Sequence, residues 1–402
     1  MASGEQPQGL CRESSRPLIY LDNAATSFPK PPEVAEAVRE NILTLAGSAG
    51  RGAHTFAMAA SQLLYDVRRS LSQLLGTREA TRWAMTLNAT QAINTALKGF
   101  LKPGDHVLTT SIEHNAVART LRYLEKERGI RVTKLPHVPG MGASPADLPR
   151  FVTAKTKLLV MVHASNVTGE IVPIREMAAA AHDHGLVVLV DASQSAGVLP
   201  LQIDDWGLDM VAVTGHKALL GPQGTGALYV RPGLEVEPLC HGGTGSFSEK
   251  DTQPEEWPEA MESGTINGPG CAGLLAALRW IAARGITAIR SHEVEMMQGL
   301  LDAFAETPAV EIYGTRRADM RAGLVCINVG ELDPAEVAYE LEQRGILTRA
   351  GLHCAAWAHQ VQHTFHRGAV RFSVGPFTSL EDVEAAARAV AEIARPAAML
   401  RT

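Results

Sequence analysis

The sequence predicts an α/β protein whose main sheet is largely parallel. Six short apolar runs typical of strands are separated mostly by helical patterns, and they lie at residues 82–87, 106–110, 157–163, 186–190, 209–213 and 227–230. Strands that alternate with helices in this way favour a parallel sheet with helices on both faces.

Elements on either side of these runs extend the prediction. Residues 56–75 carry apolar side chains at helical spacing and are followed by Gly76, a residue type common at helix ends. Towards the C-terminus, a strand at 324–329, a helix at 334–344, a strand at 369–374 and a closing helix from Leu380 form a second group. This group predicts a smaller α+β domain.

The length of 402 residues suggests two or three domains, since about 100 to 200 residues per domain are usual. We predict a disordered lead at 1–18, a large domain at 19–275 and a small C-terminal domain at 276–402, with the boundary between Gly270 and Gly285. The first residues of the large domain are also candidates for packing on the small one.

Composition and charge argue against several classes of function. A formal net charge of -6 without a long basic run argues against nucleic acid as a partner. No apolar stretch approaches the roughly 18 residues that a membrane span needs. The start of the chain, MASGEQPQGLCRESSRP, is polar and lacks the apolar centre of a secretory signal. We therefore expect a cytoplasmic protein.

Five cysteines are scattered along the chain without the paired spacing of a zinc site or a disulfide framework. Cys326, in LVCINV, is expected to be buried in packing and Cys271 to open a helix, while Cys11 lies in the lead. Reduced thiols are the default in a cytosolic protein, so neither a metal site nor a disulfide is predicted.

The most specific chemical pattern joins Asp191 to Lys217. Asp191 ends an apolar run, and Lys217 lies in TGHK just before the glycine-rich stretch GPQGTGALYV. An ionised aspartate can keep a pyridine nitrogen protonated, and a lysine amine can hold an aldehyde covalently. The pair therefore indicates pyridoxal phosphate, although alone Asp191 could be a helix N-cap and Lys217 a solvated loop residue.

Five blocks spread over residues 20–390 set these two residues in a wider pattern: YLDNAATSFPKP, NATQAIN, EHNAV, SNVTGE and RAGLHCA. In these blocks and their order, the chain resembles the class V aminotransferase family of fold type I pyridoxal-phosphate enzymes, and within it the cysteine desulfurases. The resemblance implies a fold type I architecture and pyridoxal 5'-phosphate as the cofactor.

The resemblance also implies a set of cofactor contacts. Asp191 would pair with the ring nitrogen, His114 would stack on the ring, Gln194 would hold the ring oxygen and Asn166 would approach the ring edge and the substrate. The phosphate positions correspond to Ala89, Thr90, Thr214, His216 and, from the other subunit of a homodimer, Thr265. A helix that opens at Ala89 and Thr90 suits a dianion, although Thr90 could be a plain N-cap.

Cys354 is the residue that implies desulfuration. By resemblance, Lys217 removes the α proton of L-cysteine and the Cys354 thiolate attacks its sulfur, which yields L-alanine and a persulfide; His114 is counted with the catalytic residues. Because an ordinary thiol is mostly protonated near neutral pH, Arg349 and His353 are candidates for promoting its ionisation. The alternative is that Cys354 is a small buried filler. The short RAGLHCA loop resembles that of type II desulfurases, whose sulfur often passes to a partner protein.

Substrate-binding residues are carried over by the same resemblance. Arg371, in GAVRFSVGPF, matches the arginine that grips the substrate carboxylate, a task suited to a planar guanidinium. The other residues expected near the substrate or the entrance to the site are Arg349, Asn166, Asn23, Ala24, Arg51 and His54.

The stretch AWAHQVQHTFHRG departs from the desulfurase pattern. Its histidines, His359, His363 and His366, could hold a metal, but without an interleaved carboxylate or cysteine we expect solvated surface side chains. Selenocysteine (the lyase branch) and cysteine sulfinate are alternative substrates. A class V transaminase, epimerase or other lyase is a second enzymatic hypothesis, and a sulfur-relay scaffold is the non-catalytic one.

Overall fold

The structure is a computed structural model that describes residues 18–45, 47–50, 52–246, 249 and 251–399; residues 1–17 of the predicted lead, with Cys11, lie outside these ranges. The α-helices in the described ranges are α1 (Pro32–Thr44), α2 (Thr55–Leu75), α3 (Ala89–Phe100), α4 (Asn115–Arg128), α5 (Ile174–His182), α6 (Gly268–Arg284), α7 (Ile286–Glu306), α8 (Pro334–Gln343), α9 (Ala356–Val361) and α10 (Leu380–Met399). The strands are β1 (Ile19–Tyr20), β2 (Trp83–Thr86), β3 (His106–Thr109), β4 (Arg131–Lys134), β5 (Thr156–Val162), β6 (Val187–Asp191), β7 (Met210–Thr214), β8 (Gly226–Val230), β9 (Val310–Tyr313), β10 (Leu324–Val329), β11 (Ile346–Leu347), β12 (Arg349–Gly351) and β13 (Ala369–Ser373).

Seven strands form the main sheet, in the order β2-β8-β7-β6-β5-β3-β4. Strands β7, β6, β5, β3 and β4 pair in parallel, whereas β8 is antiparallel to both β2 and β7. Helices α3 and α4 bury one face, and α2, α5 and α6 bury the other. Burial on both faces explains the near-continuous apolar runs in these strands. The predicted α/β class with a mostly parallel sheet is confirmed.

Helix α2 begins and ends at residues whose types favour helix ends. Gly76 ends it with φ +68°, a left-handed conformation that suits glycine. At the other end, the backbone N–H of Ala57 donates to Nδ1 of His54, which caps the helix. Residues 56–75 are therefore helical for the reasons that the sequence indicates.

The carboxyl ends of neighbouring parallel strands meet at one edge of the main sheet. Strand β5 ends at Val162, β6 at Asp191 and β7 at Thr214. Lys217 lies three residues beyond β7, and His114 caps the helix that follows β3. Open α/β sheets bind ligands at this edge, so the topology itself brings these residues to a candidate site.

A four-stranded antiparallel sheet, in the order β12-β13-β10-β9, forms a second unit with α7, α8 and α10. It has a core of its own. Strand β1 pairs in parallel with β11, so the start of the described chain is attached to this unit. Cys326 is buried in β10 and Cys271 is buried near the start of α6.

Helix α6 runs through the region where the domain boundary is predicted. It runs unbroken through residue 275, the predicted end of the large domain, and its Leu274, Leu278 and Ile281 are buried in the core of the main sheet. It also packs on α1 and α2. Gly285 then joins α6 to α7 with φ +83°. The apolar face of α6 is therefore buried against the large unit on both sides of residue 275.

Among the described residues, no single helix combines the length and apolar composition needed to cross a membrane. Helices α6 and α7 meet that test only as a pair, and the pair is bent by 82°.

Candidate active site

A cavity of about 290 Å³ opens at the carboxyl edge of the main sheet. Residues of the predicted cofactor set that line it are Ala89, Thr90, His114, Asn166, Asp191, Gln194, Thr214, His216 and Lys217. Its other lining residues are Asn88, Ala116, Val162, Ala164 and Ser193. Folding thus brings residues from distant parts of the chain to one cavity.

Buried Asp191 and partly buried Lys217 both line this cavity. The backbone N–H and the hydroxyl of Ser193 both donate to Oδ1 of Asp191, at 3.0 and 2.5 Å, which orients the carboxylate. Burial lowers the pKa of Lys217 to about 8, the charge of Asp191 raises it, and that of Arg371 lowers it again. A substantial fraction of the amine is therefore neutral near physiological pH and available as a nucleophile or base.

The N-terminus of α3 supplies hydrogen-bond donors at one end of the cavity. Asn88 caps the helix by accepting from the N–H of Gln91 at 3.0 Å, and the first turn of a helix leaves further N–H groups without internal partners. Buried polar atoms without a hydrogen-bond partner within the described chain, Thr214 Oγ1 and His216 Nδ1, belong to residues that line the same cavity. This donor-rich end fits a phosphate dianion.

His114 presents a neutral ring to the cavity. Its Nδ1 accepts a hydrogen bond from the N–H of Ala116 at 3.0 Å, which makes it the N-cap of α4. Burial, together with the charge of Lys217, lowers its pKa to about 4. An uncharged imidazole held by its cap is suited to stack on an aromatic ring.

The loop that carries Cys354 is bonded to the rim of the cavity. The N–H of Asn115 donates to the Cys354 carbonyl at 2.7 Å, and Nδ2 of Asn166 donates to the His353 carbonyl at 2.5 Å. The Cys354 side chain is exposed, so it is not the buried filler of the alternative hypothesis. His353 and Cys354 have φ values of +49° and +56°, a left-handed conformation that costs a non-glycine residue about 1–3 kcal/mol.

The His353 ring, which precedes Cys354, makes two hydrogen bonds inside the protein. Its Nε2 lies 3.0 Å from the Arg349 carbonyl and its Nδ1 lies 3.1 Å from Nε2 of His359, so both ring nitrogens already have partners. Burial, with the charge of Arg371, lowers its pKa to about 3. A neutral ring with both nitrogens engaged fits a support of the loop better than a proton acceptor for the thiol.

Arg371 is buried beside the cavity and is paired with a carboxylate. Its Nη2 donates to Oδ1 of Asp22 at 2.9 Å and its Nη1 to the Asn166 carbonyl at 3.1 Å, while its Nε has no partner within the described chain. Nε of Arg349, a half-exposed side chain, donates to Oδ2 of the same Asp22 at 3.1 Å. One carboxylate thus bridges the two arginines predicted to bind substrate.

Other predicted site residues lie apart from this cavity. Asn23 and Ala24 line an adjacent cavity that reaches Lys217 and Gln194, and Nε2 of Gln194 donates to the Ala24 carbonyl at 2.9 Å. His54 is exposed and caps α2, and Thr265 is exposed at a separate cavity. Arg51 lies outside the described residues.

The three histidines after Cys354 do not share one environment. His363 and His366 are exposed, as expected. His359 is fully buried, which contradicts the expectation of a solvated side chain. It lies on the inner face of α9, where the periodicity of a six-residue helix is too short to read from sequence. Within the described ranges, no group of three metal-ligating side chains could hold a metal ion.

Two residues of the site escaped the sequence analysis. Ser193 orients Asp191, and its spacing two residues after an aspartate is a recognisable local hydrogen-bonding pattern. Asp22 pairs with Arg371 across a separation of 349 residues. No local signal predicts that second contact, because it depends on how the two units of the fold pack.

The geometry agrees with comparisons to known proteins. The family model described as aminotransferase class-V matches residues 19–386. A probable cysteine desulfurase of Halalkalibacterium halodurans is 34% identical over 350 residues, covering 84% of this chain and 84% of that protein. A probable cysteine desulfurase of Methanothermobacter thermautotrophicus is 32% identical over 388 residues, covering 94% and 95%.

Solved structures show the same similarity. The apo structure of a cysteine desulfurase from Thermococcus onnurineus NA1 superposes with a TM-score of 0.88 at 30% sequence identity, covering 94% of this chain and 95% of that chain. A cysteine desulfurase from Escherichia coli, solved in an S-sulfonic acid form, superposes with a TM-score of 0.85 at 28% identity, covering 95% of each chain.

Proposed function

The chain belongs to the class V aminotransferase family of pyridoxal-phosphate enzymes and acts as a cysteine desulfurase, and we propose that the Cys354 thiol receives the sulfur of L-cysteine as a persulfide while L-alanine leaves. One observation carries the proposal: the exposed Cys354 thiol lies on a loop that is hydrogen-bonded to the rim of the cavity containing Asp191 and Lys217.

The cavity residues fit pyridoxal 5'-phosphate. Asp191 would hold the protonated ring nitrogen, Lys217 the aldehyde carbon, and the N-terminus of α3 with Thr214 and His216 the phosphate. When bound, the cofactor supplies an electron sink that makes the α proton of an amino acid acidic. Neutral His114 would cover the ring without adding a second positive charge beside the protonated ring nitrogen that Asp191 would hold.

The side chains of the site divide the reaction between them. Arg371 would bind the substrate carboxylate, which must share or replace its bond to Asp22. Lys217 would take the α proton and return a proton to the β carbon. The Cys354 thiolate would attack the substrate sulfur, so that the S–S bond forms as the Cβ–S bond breaks and its electron pair stays with the carbon that is then protonated.

The persulfide assignment is tested with the holoenzyme and L-cysteine. We expect alanine in solution and a Cys354 peptide heavier by one sulfur atom. Cys354→Ala should abolish both products while the cofactor absorbance is retained, and Cys240→Ala, which removes another exposed thiol, should abolish neither. Alanine formation by Cys354→Ala at the wild-type rate would refute the assignment.

The same assay separates the alternative substrates. Selenocysteine and cysteine sulfinate carry leaving groups that need less help from an enzyme thiol. If the enzyme is specialised for one of them, its turnover should exceed that of L-cysteine and survive the Cys354→Ala substitution.

We propose that the enzyme works as a homodimer. Exposed apolar side chains lie together in sequence on or next to α1 and α2: Ile42, Leu43, Phe56, Met58 and Tyr65. Such a set on one monomer is typical of a surface that a second copy buries. Thr265 lines a cavity together with Ala60 and Leu64 of α2, the helix that carries part of this apolar surface. Its position near the proposed dimer surface supports the proposal that Thr265 contacts the phosphate bound to a neighbouring subunit.

The sulfur acceptor is proposed to be a protein that reaches Cys354 from solvent, in the cytoplasm. Exposure of Cys354 and of Leu352 beside it supports access by a macromolecule.

A cytoplasmic location suits the chemistry because the reaction needs a reduced thiol. The cysteines in the described ranges, Cys240, Cys271, Cys326 and Cys354, are all free.

A further inference from the structure

A chain of hydrogen bonds runs from the Cys354 loop to a histidine that the proposed reaction does not use. His353 Nε2 lies 3.0 Å from the Arg349 carbonyl oxygen, and His353 Nδ1 lies 3.1 Å from His359 Nε2. His359 Nδ1 in turn lies 2.7 Å from Thr364 Oγ1. His353, His359 and Thr364 are all buried, so these bonds are shielded from water.

The acceptor at one end determines where each proton lies. A carbonyl oxygen can only accept, so His353 Nε2 carries the hydrogen. In a neutral ring His353 Nδ1 is then an acceptor, which requires His359 Nε2 to donate and His359 Nδ1 to accept. The Thr364 hydroxyl completes the chain by donating to His359 Nδ1 rather than to the His359 carbonyl, which is 3.5 Å away.

The charged and titratable groups around the chain favour its neutral state. Burial lowers the pKa of both rings, to about 3 for His353 and about 4 for His359. For His353 the charge of Arg371 acts in the same direction as burial, whereas the hydrogen bond to the Arg349 carbonyl raises the pKa. The Cys326 thiol, 3.9 Å from His353 Nδ1, is buried, and burial raises its pKa to about 12, so it brings no negative charge.

Cys354 lies in a turn closed by a hydrogen bond from the Ala355 N–H to the Leu352 carbonyl at 2.9 Å, and the bond from His353 to the Arg349 carbonyl ties this turn to β12. Residues 353 and 354 are both left-handed without being glycine, so this turn relaxes unless its surroundings hold it. Removing the His359 donor leaves His353 Nδ1 buried without its strong partner and frees the ring to rotate away from the Arg349 carbonyl. The position of the thiol then depends on the tautomer of a residue five positions further along the chain.

We propose that His359 is a positioning residue for the nucleophile: by donating to His353, it maintains the turn that presents Cys354 to the substrate sulfur. The inference deepens the proposed function and rests on the assignment of Cys354. His359 touches neither substrate nor cofactor, so its loss should act on the sulfur-transfer step and leave substrate binding in place.

The test compares holoenzymes carrying His359→Leu, His359→Gln and His366→Leu. His359→Leu should lower kcat for persulfide formation about tenfold, the typical effect of one lost buried hydrogen bond, with KM for L-cysteine and cofactor absorbance unchanged. His359→Gln keeps an N–H that can donate to His353 and should recover most of kcat. His366→Leu changes an exposed histidine a few residues beyond the end of α9 and should match the wild type.

A second readout does not depend on turnover. The rate of alkylation of Cys354 by iodoacetamide, followed by peptide mass, should change in His359→Leu and return towards the wild-type value in His359→Gln. Equal kcat values and equal alkylation rates in His359→Leu and His366→Leu would overturn the inference.

If His359→Leu does not fold, Thr364→Val provides a second test. It removes the hydroxyl that donates to His359 and should lower kcat in the same way; an unchanged kcat in Thr364→Val would also overturn the inference. Failure of the wild type to form a persulfide would instead count against the proposed function.

Discussion

Lys217 is a partly buried lysine whose surroundings disfavour the charge of its amine. The pKa of an unfolded lysine is about 10.4, whereas burial lowers that of Lys217 to about 8 despite the charge of Asp191. Below pH 8 the amine is protonated in both states, and the folded state carries the full penalty of the buried charge. As pH rises towards 10.5 the penalty disappears, so stability is gained with rising pH in this window.

Lys217→Met should remove this pH dependence from the cofactor-free protein. A lowering of the pKa from 10.5 to about 8, at about 1.4 kcal/mol per unit, corresponds to about 3 kcal/mol. Urea unfolding should therefore be measured at pH 7 and at pH 10.5 for both proteins. Between these two pH values, the free energy of unfolding of the wild type should rise by about 3 kcal/mol more than that of Lys217→Met. Lys157→Met, at an exposed lysine, is the control and should track the wild type. Parallel pH profiles for wild type and Lys217→Met would contradict the prediction.

At the scale of elements, the donor-rich end of the cavity depends on a close approach between β8 and the start of α3. Gly226 is paired with Thr86 in the sheet, and a Cβ at Gly226 would lie 2.8 Å from the backbone C and Cα of Asn88. Real side chains do not approach backbone so closely, so the N-terminus of α3 must shift if Gly226 acquires one. Asn88 is the N-cap that aims this helix at the cavity.

Gly226→Ala should therefore weaken cofactor binding, although it replaces none of the side chains that line the cavity. Overpacking of this kind costs about 1–3 kcal/mol, which corresponds to a loss of affinity of about 5- to 150-fold if the strain falls on the bound geometry. A spectroscopic titration of cofactor-free protein with pyridoxal 5'-phosphate measures it. Gly268→Ala is the matched control, because its Cβ would meet only Asn41 Oδ1 at 3.9 Å. Equal affinities in the two variants would show that the close approach is not required.

At the scale of the whole molecule, the proposed dimer predicts that an apolar surface and cofactor retention are linked. Leu43 is 67% exposed in the monomer, and Leu43→Glu would place a charge where a second copy is expected to pack. Analytical ultracentrifugation should show a shift from dimer to monomer, together with loss of cofactor on dilution if Thr265 contributes from the neighbouring subunit. Leu380→Glu, at a leucine 52% exposed on the small unit, should leave the dimer intact. A wild type that sediments as a monomer, or a dimer unaffected by Leu43→Glu, would contradict the prediction.

The sequence by itself determined the fold class and the cofactor chemistry. Apolar runs alternate with helical patterns because a doubly covered parallel sheet requires buried strands, and each of the six predicted runs overlaps a strand of the main sheet. Asp191 and Lys217 were identifiable because each follows such a run, and parallel strands end at the same edge. Local hydrogen bonding, such as that of Ser193 to Asp191, is readable from spacing in the same way.

Contacts between the two units were decided only by the tertiary structure. Asp22 meets Arg371 and Arg349 through packing of the chain's start against the small sheet, and no periodicity encodes a pairing across 349 residues. Burial of His359, whose polarity suggested solvent, depends on partners from the Cys354 loop and Thr364 that satisfy both ring nitrogens. Sequence patterns report backbone periodicity and local hydrogen bonding, whereas the burial of a polar side chain depends on which distant groups the fold supplies as partners.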